Sequence, residues 1–212
     1  YVHLFVGSTA YLHLGGREVA LRQETDYPWG ERVRIRVQPE FSDRFTLALR
    51  LPGWCLAPHL EVNGAPVALD GLVDRGYARL RRVWEPGDIV DLILPMPVER
   101  VRAHPRVTAD AGRVALQRGP VVYCLEEPEN GANLHALSLP EDAPFEAAYE
   151  PDLLGAVVTV RTEGERSMAG AWGGSLYSAE RPAVEPVALK AIPYYAWANR
   201  GLGSMLVWIR EG

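Results

Sequence analysis

The sequence predicts an all-β protein built from two consecutive antiparallel β-sandwich domains of jelly-roll-like type. Short segments alternate strictly between apolar and polar residues, as in residues 32–37, where Val33, Ile35 and Val37 share one face. The 20 glycines and 17 prolines distribute turn-forming residues along all 212 positions. Evenly spaced strands without intervening helical periodicity favour an antiparallel sandwich.

The first predicted domain covers residues 1–100. Val2, Leu4 and Val6 alternate with His3 and Phe5, which predicts a strand at residues 1–6. Residues 8–10 are expected to form a loop and residues 11–14 the next strand. Asn63-Gly64 lies between two apolar alternations, and Asn-Gly is the preferred two-residue turn of a hairpin. A hairpin is therefore predicted there.

The second predicted domain covers residues 101–212 and is organised around residues 112–126. Alternation up to residue 117 is followed by Gly119-Pro120 and a fully apolar run, which predicts a half-exposed strand that bends into a buried one. The long polar stretch 127–152 is expected to be functional or mobile, or to hide a short element. A last strand is predicted at residues 205–209.

Composition excludes some partners. The formal net charge of -5 and the isoelectric point near 5.6 give no basic face for nucleic acid. No apolar run approaches the roughly 20 residues of a membrane-spanning helix. No signal peptide pattern opens the chain, which favours the cytoplasm. The chain begins inside a strand pattern, so we expect it to be a piece of a longer protein whose own location stays open.

The polar residues do not form a recognisable catalytic or metal-binding pattern. Cys55 and Cys124 are expected to be buried free thiols, with a disulfide between them left open. The five histidines are scattered, whereas zinc ligands usually converge at close spacings. Glu126 and Glu127 are adjacent and would point to opposite faces of a strand. We therefore predict no catalytic, cofactor-binding or metal-binding residue in this chain.

Aromatic residues in or beside loops are the remaining candidates for function. They could stack on sugar rings, or they could be buried against a partner sheet or another domain. Three rings within four residues cannot all point into one core, so the segment 194–197 is the best candidate for a contact between domains or subunits. The candidates for carbohydrate or interface contacts are Tyr194, Tyr195, Trp197 and Trp29; Tyr27, Trp54 and Trp172 share their loop setting.

Four segments, taken in order, carry a resemblance to a known family. The chain resembles the C-terminal region of glycoside hydrolase family 127, the β-L-arabinofuranosidase family, over essentially its whole length. Each segment alone is weak evidence, but their order and spacing are specific. The segments are residues 26–29, residues 76–80 with 84–88, residues 114–126 and residues 191–201.

The resemblance implies a catalytic α/α barrel followed by two β-sandwich domains. It also implies a zinc-bound cysteine nucleophile in a Cys-Cys-Pro-Pro-Asn motif, which would lie upstream of this chain. Cys55 and Cys124 match no part of that motif, so no catalytic residue is carried over. The expected role is non-catalytic: to brace the missing barrel and to pair with a second copy, with carbohydrate binding as the alternative.

Overall fold

The computed structural model describes residues 1–168, 170 and 175–212, and it divides into two compact units, Tyr1–Met96 and Pro97–Gly212. Strands dominate both units, and the one α-helix in the described part of the chain is α1 (Glu127–Asn130). The predicted all-β class is therefore confirmed. None of the described residues forms a helix long and apolar enough to cross a membrane.

The first unit contains nine strands in two sheets. The larger sheet has the order β1-β2-β3-β9-β5-β6, and the smaller has the order β4-β8-β7; all the pairings between strands are antiparallel. The strands are β1 (Ser8–Leu14), β2 (Arg17–Thr25), β3 (Arg32–Pro39), β4 (Asp43–Arg50), β5 (His59–Val62), β6 (Ala65–Pro66), β7 (Val73–Asp74), β8 (Tyr77–Trp84) and β9 (Asp88–Ile93).

The core of the first unit lies between these two sheets. Val33, Ile35 and Val37 of β3 are completely buried, as their alternation predicts, and they share one apolar cluster with Leu49 of β4. Trp84 is also completely buried, and its indole N–H donates to the Phe45 carbonyl oxygen at 3.2 Å. The ring therefore fills the core without leaving its polar atom unsatisfied.

Two local predictions for the first unit have different outcomes. The Asn63-Gly64 hairpin is confirmed, with both residues at positive φ (52° and 76°) and Val62 opposite Ala65. The prediction of a strand at residues 1–6 is wrong, because the only β-pairing of these residues is an isolated bridge between Val2 and Leu49. Val2 and Phe5 are both buried, a spacing of three that a regular strand cannot place on one face. The first strand instead begins at Ser8, inside the expected loop.

The described residues of the second unit form nine strands joined in a single sheet. Its 3₁₀ turns are Thr108–Asp110, Leu134–Ala136 and Tyr194–Ala196. The strands are β10 (Val98–Arg102), β11 (Arg113–Arg118), β12 (Val121–Glu126), β13 (Leu137–Leu139), β14 (Phe145–Glu150), β15 (Val157–Ser167), β16 (Val184–Pro193), β17 (Met205–Leu206) and β18 (Ile209–Glu211).

Strand pairing in the second unit forms a closed circuit. The order β11-β18-β13-β15-β16-β12 returns to β11, because β11 and β12 also pair with each other. β10 and β14 are added at β11 and β15, and the β13–β18 pair is parallel whereas the others are antiparallel. Leu116, Leu125, Leu137 and Ile192 from four of these strands are buried.

Residues 112–126, which were expected to organise the second unit, reverse the direction of the chain. Arg118 pairs with Val121, so Gly119-Pro120 is the two-residue turn of a hairpin, with Gly119 at φ 55°, and not a bend within one strand. The stretch 127–152 hides several elements, namely α1, one 3₁₀ turn, β13 and β14. The expected last strand is split into β17 and β18, because β17 pairs with β12 whereas β18 pairs with β11 and β13.

Gly164 lies in the middle of β15, where neighbouring atoms leave no room for a side chain. A Cβ atom there would lie 2.9 Å from the Ser138 carbonyl oxygen and 2.9 Å from Leu189 Cγ. We expect Gly164→Ala to destabilise the second unit by about 1–3 kcal/mol, measured by urea unfolding. Gly53→Ala is the control, because a Cβ at Gly53 meets nothing within 4 Å; equal stability of the two variants would contradict this packing.

Candidate interaction site

Residues 194–197 of the second unit, here called the aromatic turn, carry three exposed rings in one short segment. Pro193 ends β16 opposite Tyr123, and a 3₁₀ turn follows in which the Trp197 N–H donates to the Tyr194 carbonyl oxygen at 3.3 Å. Ala196 is buried, whereas Tyr194, Tyr195 and Trp197 keep 44%, 65% and 39% of their surface exposed. Ala196, the one small residue of the turn, thus packs into the protein, and all three rings reach solvent.

A buried ion pair lies directly beside the aromatic turn. The Glu126 side chain is 7% exposed, and its Oε2 accepts a hydrogen bond from Arg200 Nη2 at 2.6 Å. The other oxygen, Oε1, accepts the backbone N–H of Ala198 at 2.9 Å. Asn199 closes the turn by donating from Nδ2 to the Ala196 carbonyl oxygen at 3.0 Å. Glu126 therefore ties the end of the turn to β12.

Further charged residues extend this ion pair into a network, here called the ion-pair network. Arg200 also pairs with Glu129 of α1, and Lys190, the only lysine in the sequence, lies 3.7 Å from Glu129 and 2.8 Å from Glu150. Arg161 pairs with Glu150 at 3.0 Å. The network joins α1, β12, β14, β15 and β16, so it holds the short helix against the sheet.

A buried asparagine supports the same region through the backbone. The Asn130 side chain donates to the carbonyl oxygens of Glu126 and Lys190 and accepts the Lys190 N–H, each at 2.9 Å. These three bonds connect the last residue of α1 with β12 and β16. Three satisfied bonds explain how the amide is buried without an energetic penalty.

Glu150 is strongly perturbed by its partners. Burial alone would raise the pKa of Glu150, but hydrogen bonds from Lys190, Thr159 and Arg161 outweigh burial and lower this pKa to about 2. The carboxylate is thus fully ionised at neutral pH. Each of its oxygens has donors, so Glu150 stabilises the fold and has no free oxygen to act as a general base.

The other predicted aromatic candidates are not part of the aromatic turn. Trp29 lies half-buried in the loop between β2 and β3 of the first unit. Its backbone N–H donates to the Asp26 carbonyl oxygen at 2.8 Å. Tyr27 and Trp54 pack against the core of that unit, and Tyr27 meets Phe5 edge-on at 5.6 Å. Trp172 lies outside the described residues.

A groove beside Tyr194 was not anticipated from the sequence. It is open to solvent, has a volume of about 510 Å³, and is lined by apolar residues together with Asp110 and Arg113. The break between β17 and β18 places Trp208 in its wall, and the alternation of residues 205–209 gave no sign of this break. The apolar lining residues are Val122, Tyr194, Met205, Leu206, Val207 and Trp208.

The two cysteines are buried and form no disulfide, as expected. Burial raises the pKa of Cys124 to about 12, and the nearby Glu126 charge adds to the effect. The thiol therefore stays protonated at neutral pH, whereas a nucleophile or metal ligand must be a thiolate.

Two histidines of the first unit, His3 and His13, have polar partners that are not metal ligands. His3 Nδ1 lies 2.8 Å from the Tyr77 hydroxyl, and His13 Nε2 lies 3.2 Å from Glu18. Within the ranges that the structure describes, no three His, Cys, Asp or Glu side chains converge in a way that could hold a metal ion. The family resemblance implies a zinc ion on the barrel, and the described residues of this chain offer no site for that ion.

Family models match both units. Residues 98–210 match the glycoside hydrolase family 127 C-terminal domain, and residues 1–96 match the beta-L-arabinofuranosidase, GH127 middle domain. This chain belongs to glycoside hydrolase family 127. The two matches divide the family 127 chain where the fold itself divides, between Met96 and Val98.

Several family 127 proteins resemble the whole chain. A non-reducing end beta-L-arabinofuranosidase from Bifidobacterium longum is 37% identical, over 99% of this chain and 32% of that protein. A GH127 beta-L-arabinofuranosidase from Geobacillus stearothermophilus T6 superposes with a TM-score of 0.98 at 53% identity, over 100% of this chain and 33% of that one. A GH127 beta-arabinofuranosidase gives a TM-score of 0.87 at 34% identity, over 99% and 34%. The chain thus spans about one third of the length of these relatives.

The low pKa of Glu150 predicts a pH-dependent contribution to stability. Because the folded pKa of about 2 lies below the ordinary value of 4.5, the contribution is complete above pH 4.5 and is lost as the pH falls towards 2. We expect Glu150→Gln to destabilise the second unit at pH 7 by about 1–3 kcal/mol and to flatten its stability profile over this range.

Urea unfolding of the second unit between pH 2 and pH 7 measures both effects. Glu146→Gln is the matched control, because Glu146 lies on the same strand and is exposed. If the Glu150→Gln protein kept the same acid dependence as the unmodified chain, the ion-pair network would not be the source of that dependence.

Proposed function

We propose that this chain is the non-catalytic C-terminal portion of a β-L-arabinofuranosidase, and that it braces the catalytic barrel of the parent protein and contributes a dimer interface. The observation that carries the proposal is the match of the two units to the middle and C-terminal domains of the family. The chain also spans only about one third of its relatives. The cleavage of β-L-arabinofuranosides is accordingly proposed for the parent protein.

The chemistry of the described polar residues supports a structural role. Both oxygens of Glu126 are engaged, by Arg200 and by the Ala198 N–H, and Glu150 is held by Lys190, Thr159 and Arg161. Most glycoside hydrolases use two carboxyl groups that are free to reach the glycosidic bond, and neither of these glutamates is free. We propose that the nucleophile and the zinc of the parent lie on the barrel.

The aromatic turn supports the proposed dimer interface. Tyr and Trp are enriched at the centres of protein interfaces, where large rings bury much area with little loss of side-chain entropy. Tyr194, Tyr195 and Trp197 are held outward by the buried Ala196 and by Glu126. A turn fixed in this way needs little reorganisation when it meets a partner.

Activity assays compare the parent polypeptide with this chain. We expect the parent to hydrolyse an aryl β-L-arabinofuranoside and the 212-residue chain to release no sugar above the uncatalysed rate. Addition of zinc to the chain should not change this result, because no described set of residues can hold the ion. Sugar release by the chain alone would overturn the proposal.

The dimer interface is tested with Trp197→Ala. We expect this substitution to weaken self-association of the parent by roughly tenfold or more, since truncating an interface tryptophan often costs at least ~1.4 kcal/mol. Sedimentation velocity over a range of concentrations measures the effect. Tyr149→Ala, which removes an exposed ring from β14 of the same unit, is the control. Equal association of the two variants would exclude the aromatic turn from the interface.

The groove beside Tyr194 favours a second candidate function, carbohydrate binding. Tyr194 and Trp208 supply ring surfaces for a sugar, and Asp110 and Arg113 supply an acceptor and donors for its hydroxyls. If this alternative holds, titration with arabinose oligosaccharides gives saturable heat that is lost in Trp208→Ala and retained in Tyr149→Ala. If the bracing role is the whole function, the titration gives no heat beyond dilution.

A further inference from the structure

The first strand of the chain carries apolar residues that the described structure covers only in part. All seven residues of β1 are exposed, including Tyr11 at 81% and Leu12 and Leu14 at 37% each. The register places Leu12 opposite Val19 and Ala10 opposite Leu21, and both of these β2 residues are buried. Ala10, Leu12 and Leu14, here called the β1 face, therefore continue the core-facing side of the larger sheet.

Unequal sheets explain why the β1 face is uncovered. The larger sheet has six strands and the smaller has three, and β1 is the outermost strand on one side. The apolar cluster between the sheets contains residues of β2, β3, β5 and β9 but none of β1. The smaller sheet thus covers the centre of the larger one, and the core-facing side extends past it at β1.

The outer edge of β1 also lacks the usual protection. Exposed edge strands of soluble proteins are commonly short, or carry lysine, proline or a bulge that prevents pairing with another chain. β1 is seven residues long and reads Ser-Thr-Ala-Tyr-Leu-His-Leu, with no proline and no permanently charged residue. An apolar face and an unprotected edge on one strand are typical of a surface that is covered in the complete protein.

We propose that β1 is the docking surface for the part of the parent polypeptide that precedes this middle domain. Residues 1–96 match a domain described as the middle one, and about two thirds of the length of the relatives lies outside the region that this chain matches. The same polypeptide therefore supplies a covering segment at high effective concentration. The proposal rests on the proposed bracing function and names the surface that performs it.

Hydrogen–deuterium exchange tests the proposal on the parent polypeptide and on the 212-residue chain. We expect the amides of Ser8–Leu14 that point away from β2 to exchange rapidly in the chain and at least about tenfold more slowly in the parent. Equal exchange in the two proteins would overturn the proposal. Protection that appears in the chain alone as its concentration rises would overturn it as well, because a second copy would then be the occupant.

Substitutions in β1 separate docking from folding. Leu12→Asp with Leu14→Asp should lower the unfolding midpoint of the 212-residue chain much less than that of the parent and should abolish the protection of β1 in the parent. Leu56→Asp, at an exposed leucine of the same unit, should change neither. If the double substitution lowered the midpoint of the chain as much as that of the parent, the two leucines would serve the fold of the unit and the proposal would fail.

Arabinofuranosidase activity, measured on the same unmodified parent sample, separates this proposal from the proposed function. A protected β1 in a parent without that activity would support the docking surface and refute the proposed function. An active parent with an unprotected β1 would refute the docking surface alone.

Discussion

The buried ion pair between Glu126 and Arg200 is the interaction on which the arrangement of the second unit depends. Its two residues are 74 positions apart, yet their side-chain atoms lie 2.6 Å from each other with little access to solvent. Removal of Arg200 would leave the buried Glu126 carboxylate without its cationic partner, at a cost of about 3–5 kcal/mol. The pair also fixes the path of the chain after Trp197, since the same carboxylate accepts the Ala198 N–H.

The same contacts therefore hold the aromatic turn in place and leave its rings exposed. The ion-pair network joins α1 to four strands beside the aromatic turn, and the buried Ala196 anchors the turn itself. The charges of this network are matched with one another, so they are not available for acid–base chemistry. In both units, the polar groups described above stabilise strands and turns. The exposed apolar groups of the aromatic turn and of β1 are suited to contacts with another domain or subunit.

The sequence predicted the fold well wherever a local pattern determines the structure. Period-two alternation located β3 and its buried face, and Asn63-Gly64 located a hairpin, because both signals act over a few residues. Residues 11–14 were predicted as a strand, but its start at Ser8 was missed, because residues 8–10 are small or polar and resemble a loop. Gly119-Pro120 was recognised as an interruption, but a bend and a hairpin turn have the same local composition.

The candidate site was predictable only in part. Three rings within four residues were enough to single out the aromatic turn, since a single core cannot accept them all. Its support was not predictable, because Glu126, Arg200, Lys190 and Glu150 meet through strand pairings that no local spacing encodes. Trp208 was hidden in an apparently regular strand, which divides because its two halves pair with different neighbours.

A double-mutant cycle tests most directly whether the ion pair holds this arrangement together. Glu126→Gln, Arg200→Met and the combined variant are compared with the unmodified chain by urea unfolding of the second unit at pH 7. A buried, hydrogen-bonded pair predicts a coupling free energy of about 2 kcal/mol or more, with the combined variant more stable than the sum of the single effects implies. Additive effects, within about 0.5 kcal/mol, would contradict the account.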